Sequence, residues 1–183
     1  MAEIPDVTSP RVLNALLQEY GLQPLRRFGQ NFLIDGNIAQ KIVGAAEINR
    51  TEALIEVGPG AGALTVQLAH TGLPVLILEI DRGLLRLLKD LLQPWPHIRI
   101  REGNALHVDW EDLVNGFAPE QPVKLISNLP YNISGPLIYS LFECGFPFAM
   151  AVLMLQKEVA GRLAAVPGDS DYGSLSVLCS YYT

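Results

Sequence analysis

The 183-residue sequence contains little of what marks a secreted or membrane-spanning protein. Its 2 cysteines, Cys144 and Cys179, stand alone along the chain, which excludes a disulfide framework and a paired zinc or redox motif. The longest apolar run, residues 148–155, is too short to cross a bilayer. The first residues are acidic and form no basic, apolar leader, so we expect a cytoplasmic chain without a membrane role.

Basic residues and histidines are also few. The 13 Lys and Arg residues against 19 Asp and Glu give a net charge of −6, which argues weakly against a protein that only grips phosphate backbones. The 3 histidines share no spacing typical of a metal site, and we predict no metal. With 49% hydrophobic residues, the chain can form one ordinary soluble domain, which we expect to be a monomer.

What the sequence does contain is a glycine-dense turn, Glu56-Val-Gly-Pro-Gly-Ala-Gly62, between two apolar segments. Gly58, Gly60 and Gly62 have no Cβ and can adopt positive φ, so the backbone can approach a ligand closely. The first amides of the following helix would point at that ligand. By itself, the turn is equally consistent with tight packing of a strand against a helix.

An acid at the end of the next apolar segment favours the ligand-binding interpretation. Glu79 lies 21 residues after Gly58, close to the spacing of a ribose-binding acid in doubly wound sheets. The glycines read G-x-G-x-G, whereas the dinucleotide fingerprint G-x-G-x-x-G would place the third glycine at position 63. This pattern favours a mononucleoside cofactor without pyrophosphate over NAD. A solvated acid at a strand end is the alternative for Glu79.

Apolar periodicity predicts strands that alternate with helices. The predicted strands are 53–57, 75–80, 98–101, 123–127 and 148–156, and the predicted helices are 8–21, 35–48, 63–69, 82–92, 157–165 and 173–182. Segment 173–182 is also compatible with a strand. The alternation predicts an α/β fold with a mostly parallel sheet. Ligands bind beyond the carboxyl ends of such strands, which would gather the polar strand ends around one crevice.

Two polar segments can contribute to that crevice. Gln30 and Asn31 carry amides that donate and accept hydrogen bonds, which suits a zwitterionic amino acid group. Asn104 and Ala105 follow the third predicted strand, where an amide side chain and a backbone N–H can read an adenine edge. Ordinary turn and loop residues are the alternative at both places.

The segment Asn128-Leu-Pro-Tyr131 follows the fourth predicted strand. Pro130 stiffens the backbone and favours an extended conformation at Leu129, so that a carbonyl can face the crevice. The Asn128 side-chain oxygen and that carbonyl form an acceptor pair suited to a primary amine. Tyr131 offers a flat face on which a base can stack.

Four segments, in this order, resemble the small-subunit ribosomal RNA adenine dimethyltransferases, the KsgA/RsmA family. They are Phe28-Gly-Gln-Asn-Phe-Leu33, Glu56-Val-Gly-Pro-Gly-Ala-Gly62, Glu79-Ile-Asp81 and Asn128-Leu-Pro-Tyr-Asn-Ile-Ser134. The similarity runs from about Pro10 to the last residue. The related large-subunit erythromycin-resistance methyltransferases usually carry Ile where this chain has Leu129, which favours the small-subunit family.

The resemblance implies a Rossmann-like class I methyltransferase fold, with residues 1–183 as the catalytic domain. It implies S-adenosyl-L-methionine (SAM) as cofactor and, as substrate, two adjacent adenosines in the 3′-terminal hairpin loop of small-subunit (16S) rRNA, within a 30S pre-ribosomal particle. Alternatives are a large-subunit rRNA methyltransferase and a non-catalytic ribosome assembly factor. Family members continue with a strand hairpin, an aromatic loop and a helical RNA-binding domain, so the chain resembles a catalytic domain truncated after the fifth strand and its following helices.

The resemblance also implies individual roles. Cofactor-binding residues would be Gln30, Asn31, Leu33, Gly58, Gly60, Glu79, Ile80, Asn104, Ala105 and Asn128. The catalytic motif would be Asn128, Leu129, Pro130 and Tyr131. Asn104 stands where the family generally has Asp, so we expect weakened but retained recognition of the adenine amino group. Positioning of the target amine would be the main catalytic effect.

Overall fold

The computed structural model describes residues 4–23, 31–145 and 147–183. Its centre is a five-stranded sheet in the order β3-β2-β1-β4-β5, in which every neighbouring pair is parallel. The strands are β1 (Ala53–Val57), β2 (Val75–Glu79), β3 (Ile98–Glu102), β4 (Val123–Asn128) and β5 (Met150–Met154). The predicted α/β fold with a parallel sheet is confirmed.

Eight α-helices accompany the sheet in the described part of the chain. They are α1 (Pro10–Glu19), α2 (Gly36–Ala45), α3 (Ala63–Ala69), α4 (Arg82–Leu91), α5 (Trp110–Phe117), α6 (Ser134–Glu143), α7 (Lys157–Ala164) and α8 (Ser174–Tyr182). The predicted strands and helices are all present, with bounds that agree within three residues. Segment 173–182, for which a strand was the alternative, is helical.

Helices α5 and α6 are missing from the sequence predictions. Helix α5 begins after Asp109, whose Oδ1 accepts a hydrogen bond from the Asp112 N–H at 3.0 Å, and it buries Trp110, Leu113 and Val114 at helical spacing. These signals are visible in the sequence, but a helix of 8 residues carries only two turns of periodicity. Helix α6 follows the Asn-Leu-Pro-Tyr turn directly, and the Ile133 N–H closes that turn on the Pro130 carbonyl at 3.1 Å.

Two apolar clusters cover the two faces of the sheet, because successive side chains of a strand point to opposite faces. Ile55 belongs to a cluster that includes Trp110 of α5 and Leu137 of α6. Leu54 belongs to the other cluster, with residues of α1 to α4 such as Leu88. The sheet is therefore enclosed between two helical layers. Among the described residues, no helix is long and apolar enough to cross a membrane.

Strands β1 and β4 separate at their carboxyl ends. Their paired register ends at Ile55 opposite Leu125, whereas β1 stays paired with β2 through Val57 and β4 stays paired with β5 through Asn128. The strand order reverses between β1 and β4, and ligands of open α/β sheets bind at such a switch point. The topology therefore places a crevice between the end of β1 and the end of β4.

Candidate active site

A cavity of about 320 Å³ lies at the carboxyl ends of β1 to β4. It brings together most of the residues that the sequence predicts for a site. Those that line it are Asn31, Leu33, Gly58, Gly60, Glu79, Ile80, Asn104, Ala105, Asn128, Leu129 and Pro130. Tyr131 is exposed and lies outside the lining, one residue beyond Pro130. Gln30 falls outside the described residues.

The glycine turn after β1 forms one wall of the cavity. Gly58 and Gly60 have φ values of 62° and 59°, as the sequence predicts for a turn that approaches a ligand. A Cβ on Gly58 would lie 2.7 Å from Pro130 Cγ, and a Cβ on Gly60 would lie 3.1 Å from Phe32 Cδ1. The turn is therefore packed between the Asn-Leu-Pro-Tyr segment and the segment that precedes α2; a Cβ at Gly58 would overlap Pro130, and a Cβ at Gly60 would require Phe32 to shift by a few tenths of an ångström.

Glu79 is held rigidly at the end of β2. Its Oε1 accepts hydrogen bonds from the N–H groups of Ile80 and Asp81, both at 2.8 Å, and the residue is only 5% exposed. Burial raises the pKa of the Glu79 carboxyl, although the N–H groups of Asp81 and Ile80 oppose this effect. The backbone thus orients a buried carboxyl into the cavity wall, where it can accept hydrogen bonds from a ligand's hydroxyl groups.

Glu56 is a cavity residue to which the sequence analysis assigned no role. It is 1% exposed, and the Thr65 hydroxyl donates to its Oε2 at 2.7 Å. Burial raises the pKa of Glu56 to about 8, the Thr65 hydrogen bond opposes this, and the charge of Glu79 adds to it. The carboxyl is therefore mostly protonated at neutral pH. The signal that could have found it is an acid inside the otherwise apolar strand Ala53–Val57, directly before the glycines.

The ionisable side chains that line the cavity are both carboxylic acids among the described residues. Glu56 and Glu79 are the ionisable side chains of its lining, and no Lys, Arg or His lines it. No group of three His, Cys, Asp or Glu side chains in the described residues is placed to hold a metal ion.

Asn104 caps a 3₁₀ turn, Ala105–His107, at the end of β3. Its Oδ1 accepts from the Leu106 N–H at 3.1 Å, and its Nδ2 lies 3.4 Å from His107 Nδ1. A carbonyl oxygen has a second lone pair, which Asn104 Oδ1 can use toward the cavity. The N–H of Ala105, at the first position of the turn, has no acceptor within a helix. Both groups can therefore face the edge of a bound base.

Asn128 ends β4 on the opposite side of the cavity from Glu79. Its Nδ2 donates to the Asn31 carbonyl at 3.4 Å. This contact sets the orientation of the amide, with the acceptor atom Oδ1 on the other side. The carbonyl of Pro130 accepts from the Ile133 N–H at 3.1 Å, and that of Tyr131 accepts from Ser134 Oγ at 3.2 Å. These two carbonyls are therefore already hydrogen-bonded within the turn that leads into α6.

Taken together, the parallel sheet, the glycine turn after β1, the buried acid after β2 and the cavity at the switch point define a Rossmann-like methyltransferase fold. Solved structures agree. A dimethyladenosine transferase from Plasmodium falciparum superposes with a TM-score of 0.65 at 33% identity, over 79% of this chain and 50% of that chain. The 23S rRNA methyltransferase ErmE superposes with a TM-score of 0.59 at 26% identity, over 72% of this chain and 50% of that chain.

The chain belongs to the ribosomal RNA adenine dimethylase family, whose model matches residues 22–183. The ribosomal RNA small subunit methyltransferase A of Ligilactobacillus salivarius is 44% identical over 98% of this chain, and that of Streptococcus mutans is 43% identical over 96%. The chain spans about 61% of the length of both relatives.

Proposed function

We propose that residues 1–183 are the catalytic domain of a cytoplasmic, SAM-dependent rRNA adenine dimethyltransferase. The product would be N6,N6-dimethyladenosine at two adjacent adenosines in the 3′-terminal hairpin loop of small-subunit (16S) rRNA, made during small-subunit biogenesis. The observation that carries the proposal is that Glu79 and Asn128 line one cavity, with the Gly58 turn between them. A buried acid for a ribose and an oriented amide oxygen for an amine thus lie within reach of a single nucleoside.

The described lining residues fit SAM. Glu79 would accept hydrogen bonds from the ribose hydroxyls, Ile80 would pack on the adenine, and Asn104 with Ala105 would read the adenine edge. Gly58 and Gly60, whose positive φ values suit glycine, would let the backbone pass under the cofactor. Asn31 and Leu33 would line the methionine end. Bound there, SAM would supply a methyl group already activated by its positively charged sulfur.

The residues of the Asn-Leu-Pro-Tyr segment would prepare the target nitrogen. An adenine amino group is a poor nucleophile because its lone pair is delocalised into the ring. Asn128 Oδ1 and the carbonyl of Leu129 would accept its two hydrogens, since the turn uses the carbonyls of Pro130 and Tyr131. These bonds would localise the lone pair and aim it at the cofactor side of the cavity. Tyr131, exposed beside the cavity, would stack on the extruded base.

The small subunit is the favoured substrate because the relatives with 44% and 43% identity are small-subunit methyltransferases, whereas ErmE, a 23S rRNA enzyme, is 26% identical. Leu129 in the motif supports the same choice. A non-catalytic assembly factor would not need Asn128 and Glu79 in one cavity, so the geometry favours an enzyme.

The test is methyl transfer to small subunits that lack the modification. The chain is incubated with SAM and such particles and, in a parallel reaction, with unmodified large subunits, and nucleosides are analysed by mass spectrometry; dimethyladenosine in small-subunit RNA is the expected result. Modification of large-subunit RNA would support the other family. If calorimetry shows SAM binding but neither RNA is modified, the assay is repeated with a version extended to the length of the relatives. Lack of product there as well would contradict the enzymatic proposal.

A further inference from the structure

We propose that Ser127 is a positioning residue for methyl transfer, because its hydroxyl holds together the two strand ends that carry Gly58 and Asn128. Ser127 does not line the cavity and is fully buried in β4, directly before Asn128. The proposal rests on the proposed function, because it concerns the distance between the cofactor turn and the acceptor for the target amine.

The strand ends need a connection because each is tied to a different neighbour. The Gly58 N–H donates to the Leu78 carbonyl of β2 at 2.9 Å, and the Leu129 N–H donates to the Met154 carbonyl of β5 at 3.2 Å. The paired register between β1 and β4 ends earlier, at Ile55 opposite Leu125, three residues before Gly58 and four before Leu129. Backbone hydrogen bonds thus tie the end of β1 to β2 and the end of β4 to β5, on opposite sides of the gap between β1 and β4.

The Ser127 side chain crosses this gap. Its Oγ donates to the carbonyl of Val57 at 2.5 Å. Val57 is the last residue of β1 and directly precedes Gly58, and Ser127 directly precedes Asn128 in β4. A strand rises by about 3.3 Å per residue, so the bond lies about that distance along the chain from both Gly58 and Asn128. Val57 is itself 2% exposed, so its carbonyl would find no water as a replacement partner without backbone movement.

Beyond the Ser127 hydrogen bond, the space between the end of β1 and the end of β4 is filled by side chains and backbone. A Cβ on Gly58 would lie 2.7 Å from Pro130 Cγ and 2.9 Å from Pro130 Cδ, so the glycine backbone sits directly against the proline ring. This contact limits closure of the cleft, and the Ser127 hydroxyl limits its opening. Together they fix how far the Asn128 oxygen lies from a cofactor that passes over Gly58.

The direct test compares Ser127→Ala with Ser176→Ala. Ser176 is a matched control, because it is also buried and its Oγ donates to a backbone carbonyl, that of Arg162, at 2.5 Å, far along the chain from the cavity lining. Amide hydrogen exchange is measured at Gly58 and Leu129. We expect exchange there to become about tenfold faster in Ser127→Ala, since local opening sets the rate, and to remain unchanged in Ser176→Ala.

Steady-state methyl transfer provides the functional readout. We expect Ser127→Ala to lower kcat about tenfold while the Kd for SAM changes less than about twofold, because a 1 Å misplacement of reacting groups can cost 100-fold. Ser176→Ala should keep the wild-type kcat. Ser127→Cys retains the side-chain shape but donates weakly, so its exchange rates and kcat should fall between those of Ser and Ala.

Equal exchange rates at Gly58 and Leu129 in the wild type, Ser127→Ala and Ser176→Ala would overturn the proposal. A kcat for Ser127→Ala equal to that of Ser176→Ala would overturn it as well. If Ser127→Ala does not fold, Ser127→Cys decides by the same measurements. Hydrogen exchange requires no substrate. If neither the chain nor its extended version methylates RNA, the proposed function fails, whereas the exchange rates still decide whether Ser127 holds the two strand ends together.

Discussion

The central strands of the sheet and its β5 edge differ in how completely they are covered. Every residue of β1 and of β2 is buried, whereas every residue of β5 is half-buried. Helix α7 contributes no buried residue, and α8 contributes only Leu175 and Ser176. Exposed large apolar side chains also concentrate there; they include Val166, Tyr172, Val177 and Tyr181.

This difference separates the parts of the candidate site by stability. The glycine turn and Glu79 follow the fully buried strands β1 and β2, so opening them requires disruption of the core. Strand β5 pairs with β4 alone among the described strands, and regions with few buried contacts open at lower free energy. Asn128 lies at the boundary, because β4 pairs with buried β1 on one side and with β5 on the other. The glycine turn and Glu79 should therefore be more rigid than the Asn128 end of the site.

The largest contrast is expected from one leucine in each region. Leu54→Ala in β1 removes a fully buried side chain and should lower the free energy of unfolding by about 3 to 5 kcal/mol. Leu153→Ala in β5 removes a half-buried one and should cost less than about 2 kcal/mol. Urea unfolding of both variants measures the difference. Equal losses would show that β5 is as well packed as β1 and would contradict the proposed difference in stability between the two strands.

At the boundary strand, Asn128→Ala should lower kcat/KM for adenosine methylation about 100- to 1000-fold, as loss of an oriented hydrogen-bonding group in an active site typically does. Asn115→Ala, which truncates an exposed amide on α5, is the matched control and should keep wild-type kinetics. Activity of Asn128→Ala within about threefold of this control would exclude Asn128 from the acceptor role.

The buried side should also respond to pH. Burial raises the pKa of Glu56 from 4.5 to about 8, so between these values the folded protein holds a proton that the unfolded chain has lost. The free energy of unfolding then falls as pH rises through this window and levels off above it. Where the folded state binds one proton more than the unfolded state, the free energy of unfolding falls by about 1.4 kcal/mol per pH unit. This gives a decline of roughly 2 to 4 kcal/mol between pH 5 and 8.

Glu56→Gln should remove most of this decline, because Gln is neutral and its oxygen can still accept from Thr65. Urea unfolding at pH 5 and at pH 8 measures it. Glu158→Gln, on exposed α7, should retain the wild-type slope. A slope in Glu56→Gln that matches the wild type would mean that the Glu56 carboxyl is already ionised in the folded protein between pH 5 and pH 8.

Glu79→Ala should weaken SAM binding by one or two hydrogen bonds to a charged group, about 1.5 to 3 kcal/mol each. The matched control is Glu102→Ala, because Glu102 stands opposite Glu79 in the register of β2 and β3 but is exposed and paired with Arg82. Isothermal calorimetry compares the two affinities. An unchanged Kd in Glu79→Ala would remove Glu79 from the cofactor site.

The smallest effect is expected at the rim. Tyr131→Ala should raise the KM for RNA by the loss of one stacked base, about 1 to 3 kcal/mol, while SAM affinity stays the same. Tyr172→Ala removes a similarly exposed tyrosine from the other region and should change neither value. A fall in SAM affinity in Tyr131→Ala would place that ring against the cofactor and not against the target base.

The sequence predicted the parts of the fold that have strong local signals. Strands with near-continuous apolar residues, such as Val75–Glu79, and the positive φ values at Gly58 and Gly60 follow from local chemistry. Helix α5 was missed because two turns of periodicity are a weak signal. The sequence analysis assigned no role to Glu56; an acid inside an otherwise apolar strand is a local signal, but the complete burial of its carboxyl depends on the elements packed around β1.

By itself, the sequence determined the alternation of strands and helices and the residue types at the strand ends, since these depend on neighbours within a few positions. Only the tertiary structure decided which strand ends meet. Glu79 and Asn128 are 49 positions apart in the sequence, and they line one cavity because β4 inserts beside β1. Burial also depends on every element packed around a residue, so the protonation of Glu56 and the bond from Ser127 to Val57 could be read only from the folded chain.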